Sequence, residues 1–488
     1  MNHSFENIGS ANDVNIPTIF LPGWAFDGRM LQLRKPVPAW IYPGNMLDPQ
    51  TIDQDLLQLA AEKNIKKFRL VGWSMGAMLG LEFAARYSGL VDSLVLISIQ
   101  PHWSEPEIEA IRAEFSRDPA AFLKGFYRKC FLGDKQIYRK FCTDLEPLYI
   151  DKIENNFTQL QNGLDFLGKF EIPDLLPNIP VRLIHGGQDI IAPLTEMPTL
   201  PGAETEVIDS AGHAPFFHES CTLQQELKKK LIRQKFSRAA NSYDYYARVQ
   251  SEVARRLAEK LPEAHQNKNI KTILEIGCGT GNFTSMLADR FPNARIVALD
   301  FSPEMIAIAR HKLNNPNLEF ICAEGEMYLH DARANSFDLV VSNGSLQWFS
   351  DIEKTMHNIA RILTSCGSMF CSIFGPQSLQ ELGKGLQYLQ NFNEHLAART
   401  FPGMQELQQI LQESFQESSG EEECIAKEYK STHDLLLHIK KTGTAGWHRK
   451  IKHSLTPSRI NLLDEWFTKT YGSCKVTYQI FFLQAKNL

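Results

Sequence analysis

Short apolar runs recur along the first half of the chain: "TIFL" (18–21), "KFRLV" (67–71), "SLVLIS" (93–98), "VRLIH" (181–185) and "ETEVID" (204–209). Each is followed by a turn or a helix-like pattern, an alternation that predicts a mostly parallel α/β sheet. The pattern breaks at about 101–170, where amphipathic helical stretches replace the apolar runs and predict a helical cap over the sheet. A second alternation, "TILEIG", "RIVALD", "LEFICA", "FDLVVSN" and "MFCSIF", fills 272–374 and predicts a second parallel sheet. Residues 222–261 carry no Pro or Gly linker between the two. One domain's last helix is therefore expected to run almost directly into the next domain's first. The boundary falls near 232–236, giving domains 1–233 and 234–488. The run Lys228–Lys230 reads as a solvated helix face. Residues 380–475 read as mixed and helix-rich, with Glu421–Glu423 in a surface loop.

Length supports the division, since 488 residues exceed one ordinary core. A hydrophobic share of 43% and a charged share of 22% are those of globular proteins. The net charge of -5 gives no reason to expect nucleic acid as a partner. The polar start shows no signal peptide, and no apolar run reaches the ~20 residues of a membrane span. A cytoplasmic protein is expected. The nine cysteines are scattered and never spaced CxxC, so they read as small apolar residues rather than as disulfides or a metal site.

Gly72-x-Ser74-x-Gly76 lies between a strand and a helix, the context in which this motif lifts a serine above a sheet. A lone serine is a poor nucleophile and needs a base and an orienting acid. Both follow in the expected order: Asp189 after "VRLIHGG" and His213 in "SAGHAPFFH". His185 ends a strand and reads as a packed or loop histidine, and His102 and His218 lack the right position. The oxyanion hole requires two backbone N–H groups. Met75, next to the nucleophile, supplies one. The loop "LPGWAFDG" supplies the other through Trp24, for which a core aromatic is the alternative role.

"LEIGCGTG" is spaced Gly277-x-Gly279-x-Gly281, which is not the dinucleotide pattern GxGxxG. It suits S-adenosyl-L-methionine, whose amino-acid end rests on a glycine loop. Glu275 sits at the strand end before it. Asp300 in "VALDFS" stands where an acid can bind both ribose hydroxyls. Glu324 in "CAEGEM" is placed to accept from the adenine amino group, with Glu326 facing solvent. Asn343 lies at the mouth of the sheet, beside the methyl group's exit. No metal is expected.

Together, "LPGWAFD", "GWSMG", "GGQDIIAP" and "GHAPF" resemble the pimeloyl-[acyl-carrier protein] methyl ester esterases of biotin synthesis, of the α/β-hydrolase fold. The resemblance covers most of 15–230. It implies Ser74 as nucleophile, Asp189 as orienter and His213 as base, with Trp24 and Met75 flanking the acyl group. It also aligns "FYRKC", hence Phe126 and Cys130, with the cap segment lining the acyl channel. Pro22-Gly23 departs from the His-Gly of many members. "FSRAANSYDYYARVQ", "LEIGCGTGNFT", "SNGSLQWF", "FGPQSLQEL" and "HIKKTGT" resemble the malonyl-[acyl-carrier protein] O-methyltransferases, a class I, Rossmann-like family, over about 236–485. That implies a first helix folded over the cofactor. Tyr243 is then either a site residue or a packing tyrosine.

The two resemblances imply a bifunctional enzyme with acyl carrier protein as shared partner, its thioester carrying malonyl or pimeloyl methyl ester. An acceptor carboxylate, already ionised, needs alignment with the donor rather than a base. The basic run Arg128, Lys129, Lys135, Arg139 and Lys140 is either a solvated cap face or a dock for the acidic carrier. Two other readings compete: a quinone-pathway fusion of a hydrolase-fold lyase with a C-methyltransferase, and a regulator that senses the cofactor.

Overall fold

The computed structural model describes residues 5–7, 16–33, 40–174, 178–262, 270–389, 396–444 and 456–487. It divides into two compact units, 1–227 and 228–488, and the division falls inside one 25-residue helix, Thr222–Tyr246.

The first unit is built on seven strands: β1 (Phe5–Asn7), β2 (Thr18–Leu21), β3 (Ile41–Pro43), β4 (Phe68–Trp73), β5 (Val91–Ile97), β6 (Val181–Gly186) and β7 (Glu204–Ile208). Their order is β1-β3-β2-β4-β5-β6-β7, parallel except for the β1–β3 pair. The five apolar runs are all strands; β1 and β3, of three residues each, are too short to show a periodicity. β4 is buried along almost its whole length, as a central parallel strand covered on both faces should be. Five helices between Glu105 and Leu167 form the cap, and their apolar faces join the same core as the sheet.

The second unit also has seven strands: β8 (Thr272–Ile276), β9 (Arg295–Asp300), β10 (Leu318–Cys322), β11 (Phe337–Asn343), β12 (Leu363–Phe374), β13 (Glu417–Tyr429) and β14 (Cys474–Lys486). The order is β10-β9-β8-β11-β12-β14-β13. The first five are parallel, but β14 runs antiparallel to β12 and to β13, so the sheet is mixed rather than parallel throughout. Glu421–Glu423 lie in strand β13, not in a loop. β13 forms the sheet edge, where charged side chains discourage further strand pairing. Glu421 and Glu423 are held by Lys260 and Arg256 at 2.6 Å each. The cysteines are all free, but Cys322, Cys366 and Cys424 are exposed rather than buried.

Candidate active sites

β4 delivers Ser74 to the start of the helix Met75–Arg86 through a backbone at φ 54° and ψ -121°, a costly conformation for a non-glycine residue. The flanking glycines make the turn possible. A Cβ on Gly72 would stand 2.3 Å from the Gly76 carbonyl oxygen, and one on Gly76 would stand 2.2 Å from that of Leu21. His213 Nε2 lies 3.0 Å from Ser74 Oγ, and His213 Nδ1 lies 2.8 Å from Asp189 Oδ2. The other Asp189 oxygen accepts from the N–H groups of Ile191 and Ala192, each at 2.9 Å. Burial raises the Asp189 carboxyl pKa, but the His213 ring and these donors outweigh it and hold the group below its usual range. His185 does not reach Ser74. Its Nε2 meets the Ala192 carbonyl at 2.8 Å, steadying the loop that carries Asp189.

Met75 opens its helix, where a backbone N–H has no intrahelical acceptor. The loop after β2 presses on the nucleophile: a Cβ on Gly23 would come within 3.2 Å of Ser74 Cβ. The Trp24 ring is buried against Phe115, Phe122 and Phe126, with Phe126 at 5.2 Å. The ring packs as a core aromatic, on the loop whose Gly23 lies against Ser74. Cys130 is wholly buried at the end of the helix Pro119–Cys130, where burial pushes its thiol pKa well up. Among the basic cap residues, Arg128, Lys129, Lys135 and Arg139 are exposed. Lys140 instead donates to the carbonyls of Gln32 and Leu33 at 2.9 and 3.0 Å.

In the second unit a cleft of about 710 Å³, part of it open to solvent, lies at the C-terminal ends of β8, β9 and β11. That is where parallel α/β sheets bind ligands. Gly277, Gly279, Asp300, Glu324, Asn343 and Tyr243 all line it. Glu275 and Gly281 do not. Glu275 is buried beneath the loop, where burial pushes its pKa up to about 8. Gly281 caps the helix Asn282–Arg290 in the left-handed conformation. The glycine loop is crowded on one side, since a Cβ on Gly277 would meet Ser345 Oγ at 2.2 Å. At Gly279 a Cβ would enter open space, though at φ 54°. Asp300 accepts from the Gly279 N–H at 3.0 Å and the Ser302 N–H at 2.8 Å; burial nevertheless raises its pKa to about 6. The Asn343 amide is engaged at both ends, donating to the Gln250 carbonyl at 3.2 Å and accepting from Ser372 Oγ at 2.8 Å.

Two expectations change here, and one residue is new. Glu326 accepts from the N–H groups of Ser350 and Asp351 and pairs with Lys229 rather than facing solvent. Lys229, expected on a solvated face, lines the cleft and also pairs with Glu324 at 3.2 Å. Asp244 was not singled out from the sequence. It accepts from Thr280 at 2.5 Å, Asn282 at 3.0 Å and Lys312 at 2.8 Å, tying the helix Thr222–Tyr246 to the glycine loop. Only the motif "SYDYYA" marked its neighbourhood.

Fold and sites thus define an α/β-hydrolase domain followed by a class I methyltransferase domain. The model of the "Alpha/beta hydrolase family" matches residues 19–221, and that of "Methyltransferase domain" matches 273–367. A malonyl-[acyl-carrier protein] O-methyltransferase of Acetivibrio thermocellus is 34% identical over 274 residues, 53% of this chain and 94% of that protein. One from Bacillus cytotoxicus is 30% identical, over 52% of this chain and 91% of its own. The biotin biosynthesis bifunctional protein BioHC of Cellvibrio japonicus is 27% identical over 465 residues, 87% of this chain and 89% of that protein. The chain belongs to the malonyl-[acyl-carrier protein] O-methyltransferase family, joined here to a hydrolase domain.

Proposed function

We propose that this chain is a bifunctional enzyme of biotin synthesis. It methylates the free carboxylate of malonyl-[acyl-carrier protein] with S-adenosyl-L-methionine, and it hydrolyses the methyl ester of pimeloyl-[acyl-carrier protein] methyl ester. The observation that carries this reading is a hydrogen-bonded Ser74–His213–Asp189 set and a glycine-lined cleft on one chain.

In the hydrolase half, His213 Nε2 takes the Ser74 proton as Oγ attacks the ester carbonyl. The N–H groups of Met75 and Trp24 donate to the developing oxyanion. His213 returns the proton to the departing methoxide, releasing methanol. Water, activated by the same ring, then frees the acid from Ser74. Asp189, ionised by its surroundings, holds the ring's orientation and balances its charge. Phe126 and the cap around it surround the acyl chain.

In the second half, the donor set fits S-adenosyl-L-methionine. Gly277 and Gly279 would permit close backbone approach, Asp300 would accept from the ribose hydroxyls, and Glu324 would accept from the adenine amino group. Asn343 and Tyr243 line the side where an acceptor enters. When bound, the cofactor supplies an electrophilic methyl group. An acceptor carboxylate is ionised at neutral pH, so the chain's task is alignment and exclusion of water. The order of reactions follows from charge. Methylation hides the malonyl carboxylate during elongation, and hydrolysis at pimeloyl length uncovers it again. A cytoplasmic site of action follows from the carrier-bound substrates, and the exposed Arg128, Lys129, Lys135 and Arg139 suit an acidic carrier.

Mass spectrometry of malonyl-carrier protein incubated with the enzyme and cofactor should register one added methyl group. Pimeloyl methyl ester on the carrier should lose one. If the malonyl carrier gains no methyl, the reading fails for the second half.

A further inference from the structure

The loop after β2, which on the proposed reading carries the second oxyanion donor, is tied to the cap. Three cap helices make buried hydrogen bonds to it. Trp24 Nε1 donates to the Leu160 carbonyl at 2.9 Å, from the helix Ile153–Leu167. Tyr127, on the helix Pro119–Cys130, donates its hydroxyl to the Ala25 carbonyl at 3.0 Å. Tyr149, on the helix Glu146–Ile150, donates to Asp27 Oδ1 at 2.9 Å. Asp27 is itself almost sealed from water and is gripped by the Arg29 guanidinium, with Nη2 at 2.6 Å from Oδ2.

Between these anchors Ala25 sits at φ 65°, a region that non-glycine residues occupy only when their surroundings force them to. Ala25 is the third residue of a turn closed by the Phe26 N–H donating to the Gly23 carbonyl at 3.2 Å, and the Tyr127 hydroxyl braces the same turn through the Ala25 carbonyl. The Trp24 N–H shares its peptide plane with the Gly23 carbonyl, so its direction is set by this turn and by the cap bonds that brace it. Tyr127 and Tyr149 are wholly buried, and among the described residues neither hydrogen-bonds to Ser74 or His213.

We propose that Tyr127 and Tyr149 are positioning residues for hydrolysis: the cap aims the Trp24 N–H at the oxyanion, besides enclosing the acyl chain. The proposal rests on Ser74 being the nucleophile and extends that reading. Cap and oxyanion loop then form one unit, and a shift of the cap lowers the rate of the chemical step even for substrates too short to touch it.

The test compares Tyr127→Phe and Tyr149→Phe in the full chain, each deleting one oxygen and keeping the ring. Hydrolysis of p-nitrophenyl acetate, whose acyl group is too short for the cap channel, is measured beside that of a longer methyl ester. Ser74→Ala serves as the reference, and unfolding midpoints are recorded for every variant. The expected result is a kcat lower by about tenfold to a hundredfold on both esters, with KM little changed; one lost donor at an oxyanion costs about 10²–10³ in kcat. An unchanged kcat would overturn the proposal. So would a loss confined to the longer ester with a raised KM, because the cap would then only line a channel. A rate loss that vanishes well below the unfolding midpoint would overturn it too. Should one variant fail to fold, the other carries the test alone. If Ser74→Ala keeps its hydrolase activity, the nucleophile assignment falls and the proposal falls with it. If Ser74→Ala is inactive while both tyrosine variants are normal, only the clamp is wrong.

Discussion

Asp189 is almost sealed from water, which by itself would favour its neutral form, yet His213 and two N–H donors keep it ionised. Glu275 is as deeply buried without such company, and its pKa rises from an ordinary 4.5 to about 8. The consequence for stability has a definite sign. Between those values the unfolded chain has released the Glu275 proton while the folded chain retains it. Stability from this group is full below the unfolded value and is lost as pH rises toward 8. Asp300, pushed up to about 6, contributes in the same sense but only at lower pH. Asp300 exchanges protons mainly below pH 7, as does His438, whose pKa burial pushes down to about 4, so the window from pH 7 to 8 reports Glu275 most directly. There it should cost the protein roughly 1 kcal/mol of stability per pH unit. Glu275→Gln should flatten that dependence, leaving a shallower fall in the unfolding midpoint of the methyltransferase transition than in the parent. Parallel curves would mean that Glu275 is ionised when folded.

The helix Thr222–Tyr246 shows what can and cannot be seen at the level of elements. Its existence was legible, because no Pro or Gly interrupts the stretch. Its contacts were not: Lys229 meets Glu324 and Glu326, Ser237 meets Ser302, and Asp244 meets Thr280, all across long chain separations. A run of three lysines looks the same whether it faces water or a cleft. Similar logic hid β13, whose alternating charged residues read as loop until β14 is paired beside it. Ser74, by contrast, was legible because a short motif between a strand and a helix marks its turn, although only Gly72 is required by a contact within a few residues and Gly76 is required by the distant Leu21 carbonyl. If Lys229 fastens the helix across the cleft, Lys229→Met leaves Glu324 and Glu326 adjacent and uncompensated. Cofactor affinity measured by calorimetry should fall about tenfold, equivalent to roughly 1.4 kcal/mol. An unchanged dissociation constant would remove Lys229 from the binding site.

On the scale of the whole molecule, the proposed function has one domain make the bond that the other breaks, and the chain must then avoid undoing its own product. Each candidate site draws its residues from a single unit, so the activities should separate by mutation. Ser74→Ala removes the nucleophile and should abolish ester hydrolysis while methyl transfer stays within about twofold, as expected for independent sites. Gly279→Asp should do the reverse. It forces a side chain onto a backbone at φ 54° and puts a carboxylate into the cleft beside Asp300, so methyl transfer should fall by about a hundredfold or more. Loss of both activities from either change in a folded protein would mean that the two sites depend on each other. The same Ser74→Ala variant tests for a futile cycle. Given malonyl-carrier protein and cofactor, parent and variant should accumulate the methyl ester to nearly equal levels, because a malonyl chain is too short to bring its ester to Ser74 from a carrier held outside the cap. A much larger yield from the variant would show that the hydrolase strips the short ester as readily as the long one. Chain length would then have to be measured elsewhere than in this protein.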